Sequence, residues 1–219
     1  TKVVSIFPDY AEGAKFGDLW LHPKQGTDAA LGLAMGHVVL KEFHVPGKCD
    51  YFMDYCRRFT DMPMLVRVVK QGDHYVPERL LRADEFEDAL GQENNAAWKT
   101  VVFDESSGKP VAPVGSIGFR WGQKEGGDAG KWNLKQEDAQ GNAIRPLLSL
   151  VNGHDAVIDV AFPYFGNVEQ THFTHTGHAS VLPRRIGVRK VATRSGETLV
   201  ATVYDLFIAN YGVDQGLGG

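Results

Sequence analysis

The chain has 219 residues, of which 43% are hydrophobic and 23% are charged, and its formal net charge is −4. This composition is ordinary for a globular protein, and the small negative charge gives no general attraction to nucleic acid or to an anionic membrane. No apolar run approaches the roughly 18 to 20 residues that a membrane-spanning helix needs. The two cysteines, Cys49 and Cys56, are too few for a disulfide framework and favour a reducing compartment.

The first part of the chain predicts alternating strands and helices. A buried strand rich in β-branched residues is predicted over residues 2–7, a short helix over 11–16 and a second strand over 18–21. A longer helix with one apolar face is predicted from Thr27 to about Phe43, and a further amphipathic helix over 50–61. This alternation is typical of a doubly wound α/β fold, a class that binds nucleotides.

The residues after 62 carry a different, β-rich pattern. Two hairpin signals, Gln71-Gly-Asp73 and Glu105-Ser-Ser-Gly-Lys109, separate short apolar runs. A short helix is predicted over 82–90, and further strands over 156–162, 188–193 and 198–204. The predicted organisation is therefore an α/β segment over residues 1–62 and, over 63–219, a mixed, β-rich irregular insertion that returns toward the core.

The long predicted helix begins with Gln25-Gly-Thr-Asp28, which suits the binding of an anion or a nucleotide. The amide groups at a helix N-terminus carry partial positive charge, and Gly26 lets the backbone approach a ligand closely. Thr27 can either cap the helix or donate its hydroxyl to a phosphate oxygen, and Asp28 can accept from ribose hydroxyls or from the N1/N2 edge of guanine. Asp9 follows the first strand, where a nucleotide-binding fold places the acid that binds ribose.

These features also have purely structural alternatives. Gly-Thr-Asp before a helix is common capping chemistry, Pro8-Asp9 is a common turn after a strand, and the sequence contains no Walker loop and no complete Gly-x-Gly-x-x-Gly motif. His172, His175 and His178 are three imidazoles at three-residue spacing, which admits either a structural metal site or a polar loop. We assign no catalytic residue and no metal ligand within this chain.

Three stretches near the N-terminus closely resemble the molybdopterin oxidoreductases: Phe7-Pro-Asp-Tyr-Ala, Gly17-Asp-Leu-Trp-Leu-His-Pro-Lys-Gln-Gly-Thr-Asp-Ala-Ala-Leu and Ala34-Met-Gly-His-Val. Later stretches resemble, more narrowly, the catalytic alpha subunits of membrane-bound respiratory nitrate reductases: Tyr55-Cys-Arg-Arg-Phe-Thr-Asp-Met-Pro-Met-Leu, Ala89-Leu-Gly-Gln-Glu-Asn-Asn, Pro113-Val-Gly-Ser-Ile-Gly-Phe-Arg-Trp-Gly, Phe162-Pro-Tyr-Phe-Gly and Thr202-Val-Tyr-Asp-Leu. The resemblance covers essentially the whole chain. The Gly-Thr-Asp-Ala-Ala-Leu pattern is shared across the wider family, whereas the middle stretches indicate the nitrate reductase branch.

The resemblance implies a cofactor and a set of residues that contact it. Residues 1–62 would help to cradle one of the two guanine dinucleotide pterins of a molybdenum bis(molybdopterin guanine dinucleotide) cofactor. The residues that match the family's contacts to the nucleotide end lie at the first strand end and before the long helix: Phe7, Pro8, Asp9, Gln25, Gly26, Thr27 and Asp28. The implied reaction is the reduction of nitrate to nitrite, with electrons that quinol supplies through iron–sulfur clusters.

The resemblance also implies what lies outside the chain. The ligands of a [4Fe-4S] cluster and of molybdenum belong to other parts of such subunits. Because the chain also starts within a predicted strand and without an initiator Met, we expect an internal fragment that is inactive alone. The implied partners are an iron–sulfur beta subunit and a membrane cytochrome b gamma subunit, which would hold the enzyme at the cytoplasmic face of the inner membrane.

Two alternative functions remain open from the sequence. One is a molybdopterin relative of the same branch that acts on selenate, on chlorate or perchlorate, or on a hydrocarbon. The other is an independent nucleotide-binding module with no redox role.

Overall fold

The computed structural model describes residues 1–10, 12–116, 133–162 and 184–218, which form two compact units, Thr1–Pro46 and Gly47–Gly219. The sequence pattern changes after residue 62, whereas the structure divides after Pro46, so the helix at Asp50–Phe59 lies in the second unit. The described helices are α1 (Glu12–Lys15), α2 (Asp28–Val38), α3 (Val45–Gly47), α4 (Asp50–Phe59) and α5 (Val203–Asn210), with a π-helical stretch (Val39–His44) between α2 and α3. The described strands are β1 (Val4–Ile6), β2 (Leu19–Leu21), β3 (Leu65–Gln71), β4 (His74–Leu80), β5 (Val102–Phe103), β6 (Pro110–Val111), β7 (Gly115–Ser116), β8 (Asn133–Leu134), β9 (Ala156–Val160), β10 (Arg184–Thr193) and β11 (Gly196–Thr202).

The first unit is a strand–helix–strand–helix arrangement, as predicted. β1 and β2 run parallel, with Val4 opposite Leu19, and α1 lies in the crossover that a parallel pair requires. Ser5 is the buried residue of β1, and its hydroxyl donates a hydrogen bond to the Gly13 carbonyl at 3.0 Å. The Asp18 carboxylate accepts a hydrogen bond from the amide of Val3 at 2.7 Å, which fixes the start of β2 beside β1.

The predicted burial of the first strand is wrong. Val4 and Ile6 are 51% and 41% exposed, and Leu19 of β2 is 53% exposed. A sheet of two strands leaves its faces open unless helices or further strands cover them. The β-branched residues therefore predicted the strand correctly but predicted its burial wrongly.

The helix predicted from Thr27 to Phe43 is present but differs in its ending and its burial. Regular α-helix ends at Val38, and the backbone then winds as a π-helix. No residue of α2 is buried, and Met35 and Val38 on the predicted apolar face are about half exposed. The described helices include none with the length and apolarity that crossing a bilayer demands.

Five strands of the second unit close into a barrel in the order β10, β11, β3, β4 and β9. Neighbouring strands pair antiparallel except β4 and β9, which pair in parallel at Tyr75 and Val160. The Ala161 amide donates to the Tyr75 carbonyl at 2.8 Å beside that closing pair. The prediction of a β-rich region is confirmed, and the structure adds that its long strands form a regular barrel.

Two of the apolar clusters in the core of the second unit lie on opposite sides of the barrel strands. One cluster joins alternating barrel residues to α5: Val66, Val68, Ile158, Val160, Ile186, Val188, Ala201, Leu206 and Ala209. The other joins the opposite set to residues outside the barrel: Leu65, Leu81, Phe86, Val101, Phe103, Leu150, Val191 and Val200. Burial on both sides explains why consecutive positions such as Leu65 and Val66, or Val200 and Ala201, are both apolar.

The helix predicted over residues 82–90 is replaced by two short 3-10 turns, Ala83–Glu85 and Ala89–Gly91. Glu85 accepts a hydrogen bond from the Arg82 amide at 2.8 Å, a bond that is compatible with the start of a helix. Asp88 accepts one from the Leu90 amide at 3.0 Å, and a continuous helix would bond that amide to a backbone carbonyl. This local bond between an acid and a nearby amide competes with the helix.

The strand predicted over residues 198–204 ends at Thr202, and α5 begins there instead. The Thr202 hydroxyl accepts a hydrogen bond from the Asp205 amide at 3.1 Å, which caps the helix. The prediction extended the strand because apolar residues continue through Val203 and Tyr204 without a turn signal.

A buried carboxylate, Asp104, fastens the β5–β6 turn to the segment that precedes β9. It accepts hydrogen bonds from the Ser106 hydroxyl at 2.5 Å and from the amides of Ser107 and Arg145, both at 3.0 Å. Burial pushes the pKa of Asp104 upward, but these hydrogen bonds to the ionised form outweigh burial and hold the pKa well below its usual range.

We expect Asp104 to make the stability of the second unit depend on acid pH. A carboxyl group whose pKa is lowered by folding contributes stability above its unfolded pKa of about 3.9, and the contribution is lost as the pH falls. Urea unfolding at pH 6 to 3 should show that Asp104→Asn removes about 1–3 kcal/mol of this acid-sensitive stability. Asp73→Asn, at an exposed turn, serves as the control, and an unchanged pH profile in Asp104→Asn would contradict the assignment.

Candidate functional site

The seven residues predicted to bind the nucleotide lie after the carboxyl ends of β1 and β2. Because the two strands are parallel and adjacent, these ends meet at one edge of the sheet. The Phe7 amide donates to the Leu21 carbonyl at 3.3 Å, so the two chains leave the sheet side by side. The prediction that the acids Asp9 and Asp28 follow two neighbouring strands is confirmed, and both are exposed. Their role in binding stays a prediction.

The turn before α2 depends on a glycine. Gly26 has φ of +80°, in the left-handed region that strains residues with a Cβ atom. The Thr27 amide donates to the Lys24 carbonyl at 3.1 Å, which closes the turn. The Thr27 hydroxyl also donates to that carbonyl, at 2.6 Å, and makes no capping bond to the helix. The capping alternative for Thr27 is therefore wrong.

The N-terminus of α2 presents backbone donors at this edge. The first helical hydrogen bond runs from the Leu31 amide to the Thr27 carbonyl at 3.2 Å. The amides of Asp28, Ala29 and Ala30 precede that bond, so the helix supplies no acceptor for them. No side chain at the N-cap position accepts from them, and all three residues are exposed. An anionic group such as a phosphate suits these donors.

Three aromatic rings lie together at the same edge, and the sequence analysis did not predict their contact. The Trp20 ring meets the Tyr10 ring edge-on, with centroids 5.2 Å apart and planes at 73°, and it lies 4.9 Å from the His22 ring at 34°. The Trp20 indole N–H donates to the Phe7 carbonyl at 3.0 Å, which fixes the central ring. Spacing gave a signal only for Trp20 and His22, because residues two apart lie on the same face of an extended strand.

The residues present fit the nucleotide end of a pterin cofactor in chemical type. An exposed glycine turn, free helix amides, two exposed carboxylates and aromatic rings supply the donors, acceptors and apolar surface that a nucleotide requires. In the described part of the chain, no three His, Cys, Asp or Glu side chains are grouped so as to hold a metal ion. His172, His175 and His178 lie outside the described residues.

The two cysteines belong to the second unit. Cys49 is exposed and Cys56 is buried in α4, and both are free thiols. Burial raises the pKa of Cys56 to about 11, against a smaller opposing effect of Arg57. Cys56 is therefore protonated at neutral pH and packs as an apolar residue.

Comparison with known proteins gives a consistent assignment along the whole chain, although no protein-family profile matches it. The chain is 52% identical over 219 residues to the respiratory nitrate reductase 1 alpha chain of Escherichia coli (strain K12), covering 99% of this chain and 17% of that protein. It is 39% identical over 218 residues to the nitrate reductase alpha chain of Bacillus subtilis (strain 168), with 99% and 16% coverage. The perchlorate reductase subunit alpha of Dechloromonas aromatica (strain RCB) is 37% identical over 124 residues, or 57% of this chain.

The chain thus spans about a sixth of the length of these nitrate reductase relatives. Their similarity extends from end to end of the chain, whereas the perchlorate reductase subunit matches little more than half of it. The predicted resemblance is confirmed at the level of the family. The chain belongs to the family of respiratory nitrate reductase alpha chains.

Proposed function

We propose that the chain forms part of the catalytic alpha subunit of a molybdenum-dependent respiratory nitrate reductase. The observation that carries this proposal is the 52% identity to the Escherichia coli alpha chain over 219 residues. The complete enzyme would reduce nitrate to nitrite with electrons from quinol, delivered through iron–sulfur clusters that include a [4Fe-4S] cluster. The 219-residue chain on its own would be inactive, since its proposed part in the enzyme is to bind the nucleotide end of the cofactor.

The binding edge would hold the guanine nucleotide end of a molybdopterin guanine dinucleotide. Phosphate oxygens would accept hydrogen bonds from the amides of Asp28, Ala29 and Ala30, and the Gly26 turn would let the backbone approach them. Asp9 and Asp28 would accept from ribose hydroxyls or from the N1/N2 edge of guanine. The remaining members of the predicted site, Phe7, Pro8, Gln25 and Thr27, would shape the turns that present these groups. When bound, the molybdenum cofactor supplies the two-electron chemistry, and this chain would hold the nucleotide end of the cofactor in place.

The first unit would be part of a doubly wound α/β domain whose further strands lie elsewhere in the alpha subunit. Its parallel β1–β2 pair, with α1 in the crossover, supports this reading because parallel pairs with helical crossovers build such domains. In this proposal residues 1–62 contribute to pterin guanine dinucleotide binding, and residues 63–219 return toward the core of the subunit.

The alpha subunit would act within a complex. The relatives are named as alpha chains, which supports the presence of other subunits in their enzymes. We propose an iron–sulfur beta subunit and a membrane cytochrome b gamma subunit as partners, with the alpha subunit bound through them at the cytoplasmic face of the inner membrane. Nitrate is the proposed substrate.

A second candidate is reduction of another oxyanion, and the perchlorate reductase relative is the observation that favours it. That relative shares 37% identity over 124 residues, against 52% over 219 residues for the nitrate reductase chain. Nitrate is therefore the better supported substrate. Assay of the complete enzyme with quinol as electron donor and either nitrate or perchlorate as acceptor distinguishes the two candidate substrates. Reduction of perchlorate alone would overturn the proposal.

The binding edge is tested by Asp28→Ala in the complete enzyme. We expect the purified variant to contain less than about half of the wild-type molybdenum and guanine nucleotide per alpha subunit, because loss of a charged hydrogen-bond acceptor weakens retention on the order of tenfold. Asp50→Ala is a matched control, since Asp50 is also an exposed aspartate at the first position of a helix. Wild-type contents in Asp28→Ala would remove Asp28 from the site.

A further inference from the structure

Three exposed or partly exposed rings at the sheet edge contact one another, Tyr10 with Trp20 and Trp20 with His22. Tyr10 is 62% exposed and His22 is exposed, and Trp20 between them is half-buried. An exposed cluster of aromatic rings is unfavourable in water, and such a surface marks either a ligand-binding groove or an interface that other parts of the protein cover. The cluster is also held in place, because the Trp20 indole N–H is bonded to the Phe7 carbonyl at 3.0 Å.

The neighbours of the cluster in the chain are the acids and amides of the proposed nucleotide site. Asp9 directly precedes Tyr10, and the turn that closes on Lys24 follows His22 and one proline. The edge therefore combines flat apolar rings with carboxylate acceptors and, at the N-terminus of α2, amide donors. A purine nucleotide has the matching parts, since its base has a flat π-face and its phosphates accept hydrogen bonds.

Guanine matches this edge better than adenine does. Its Watson–Crick edge carries two adjacent N–H donors, at N1 and N2, which a carboxylate can accept together. Adenine presents an acceptor at N1, which a carboxylate opposes. A ring platform beside Asp9, with Asp28 at the start of α2, thus favours a guanine base lying on the rings with its edge toward a carboxylate.

We propose that Tyr10, Trp20 and His22 form a stacking platform for the guanine base of the bound nucleotide, with Tyr10 as the contact that is most accessible. The inference rests on the proposed function, and it assigns a role to three residues outside the predicted site. Trp20 acts as a positioning residue, because it holds the rings of Tyr10 and His22 in place through edge-on and tilted contacts.

The test measures cofactor release from the complete enzyme, independently of nitrate reduction. Guanine nucleotide and molybdenum that remain bound to the alpha subunit are quantified over time after gel filtration. Tyr10→Ala is expected to release both about tenfold faster than the wild type, because a base loses one stacked ring. Tyr10→Phe keeps the ring and should stay within about twofold of the wild type, whereas Tyr10→Leu keeps only apolar bulk and should behave like Tyr10→Ala.

The controls separate this inference from the proposed function. Tyr51→Ala removes an exposed tyrosine of α4 and should leave release unchanged. If Asp28→Ala accelerates release and Tyr10→Ala and Tyr10→Leu do not, the platform is wrong and the nucleotide site stands. If wild-type enzyme contains no guanine nucleotide, the proposed function itself fails. If Tyr10→Ala does not accumulate, the difference between Tyr10→Phe and Tyr10→Leu decides the question.

Discussion

Asp205→Ala is expected to destabilise the second unit by roughly 3 to 5 kcal/mol, because it leaves one buried and two partly buried hydrogen-bond donors without their acceptor. The fully buried carboxylate of Asp205 accepts hydrogen bonds from the Ser149 hydroxyl at 2.6 Å, the Leu150 amide at 2.7 Å and the Gln215 amide nitrogen at 3.0 Å. It thereby joins the start of α5 to the segment before β9 and to the chain after α5. Leu150 is itself fully buried, so water cannot replace the lost acceptor of its amide.

Burial and hydrogen bonding act on the Asp205 carboxyl in opposite directions, and a second substitution, Asp205→Asn, tests the hydrogen bonds. Burial raises the pKa of Asp205, and the hydrogen bonds from Leu150, Ser149 and Gln215 oppose part of that rise. Asp205→Asn keeps one oxygen acceptor but turns an amide donor toward other donors, so an intermediate loss of stability is expected. Urea unfolding of the wild type, Asp205→Ala and Asp205→Asn at low protein concentration measures the change in the free energy of unfolding.

Asp159→Ala is the control for Asp205→Ala. Asp159 lies on β9 and is exposed, and its carboxylate meets Arg185 at 3.5 Å in a surface ion pair worth no more than about 1 kcal/mol. Equal unfolding midpoints for Asp205→Ala and Asp159→Ala would show that the buried network does not stabilise the unit.

The sequence predicts the elements of this chain better than their environment. Local alternation and turn signals identify the strand–helix order of the first unit and both hairpins, because these depend on residues close together in the chain. Barrel closure depends on a parallel contact between Tyr75 and Val160, which are far apart in sequence, and periodicity carries no information about that pairing. The exposure of Val4 and Ile6 likewise depends on elements that the strand pattern does not encode.

Two wrong predictions, the strand over residues 198–204 and the helix over residues 82–90, have local causes. Thr202 and Asp205 stand three residues apart, a spacing typical of a helix N-terminus, and the apolar run through Val203 outweighed that signal in the prediction. Over residues 82–90 the spacing of apolar residues favours a helix, but Leu90 adopts φ of +50° and its amide donates to the Asp88 carboxylate. A side-chain bond of this kind competes with a helical pattern because it takes an amide that the helix would need.

The candidate site was predicted in its position but not in its full composition. Asp9 follows β1 and Asp28 follows β2, and the two strands are parallel neighbours, so both acids lie after the same edge of the sheet. The contact between Tyr10 and Trp20 depends on the strand register and on the path after β1, so it was not predictable from spacing. The role of Thr27 was left open between capping and donation to a phosphate, and in the structure its single hydroxyl hydrogen goes to the Lys24 carbonyl instead.

In the isolated 219-residue chain, amide hydrogens of residues 1–46 are expected to exchange with solvent at least a hundredfold faster than those of the barrel strands. Eleven large hydrophobic residues of the first unit are exposed, against five in the rest of the described chain. Few apolar contacts therefore hold β1, β2 and α2 closed, whereas β3, β10 and β11 lie between two buried clusters. The same exposed surface should make the chain associate at micromolar concentration, because apolar area is removed from water when copies meet.

Hydrogen–deuterium exchange followed by mass spectrometry measures this difference peptide by peptide, and the complete alpha subunit provides the comparison. In the complete subunit residues 1–46 should become protected, because further strands, helices and the cofactor would cover them. Phe16→Glu in the isolated chain places a charge on a side chain that is 81% exposed and should reduce association without slowing exchange. Strong protection of β1 and α2 in the isolated chain would show that the first unit is stable alone, and its apolar surface would then need a different explanation.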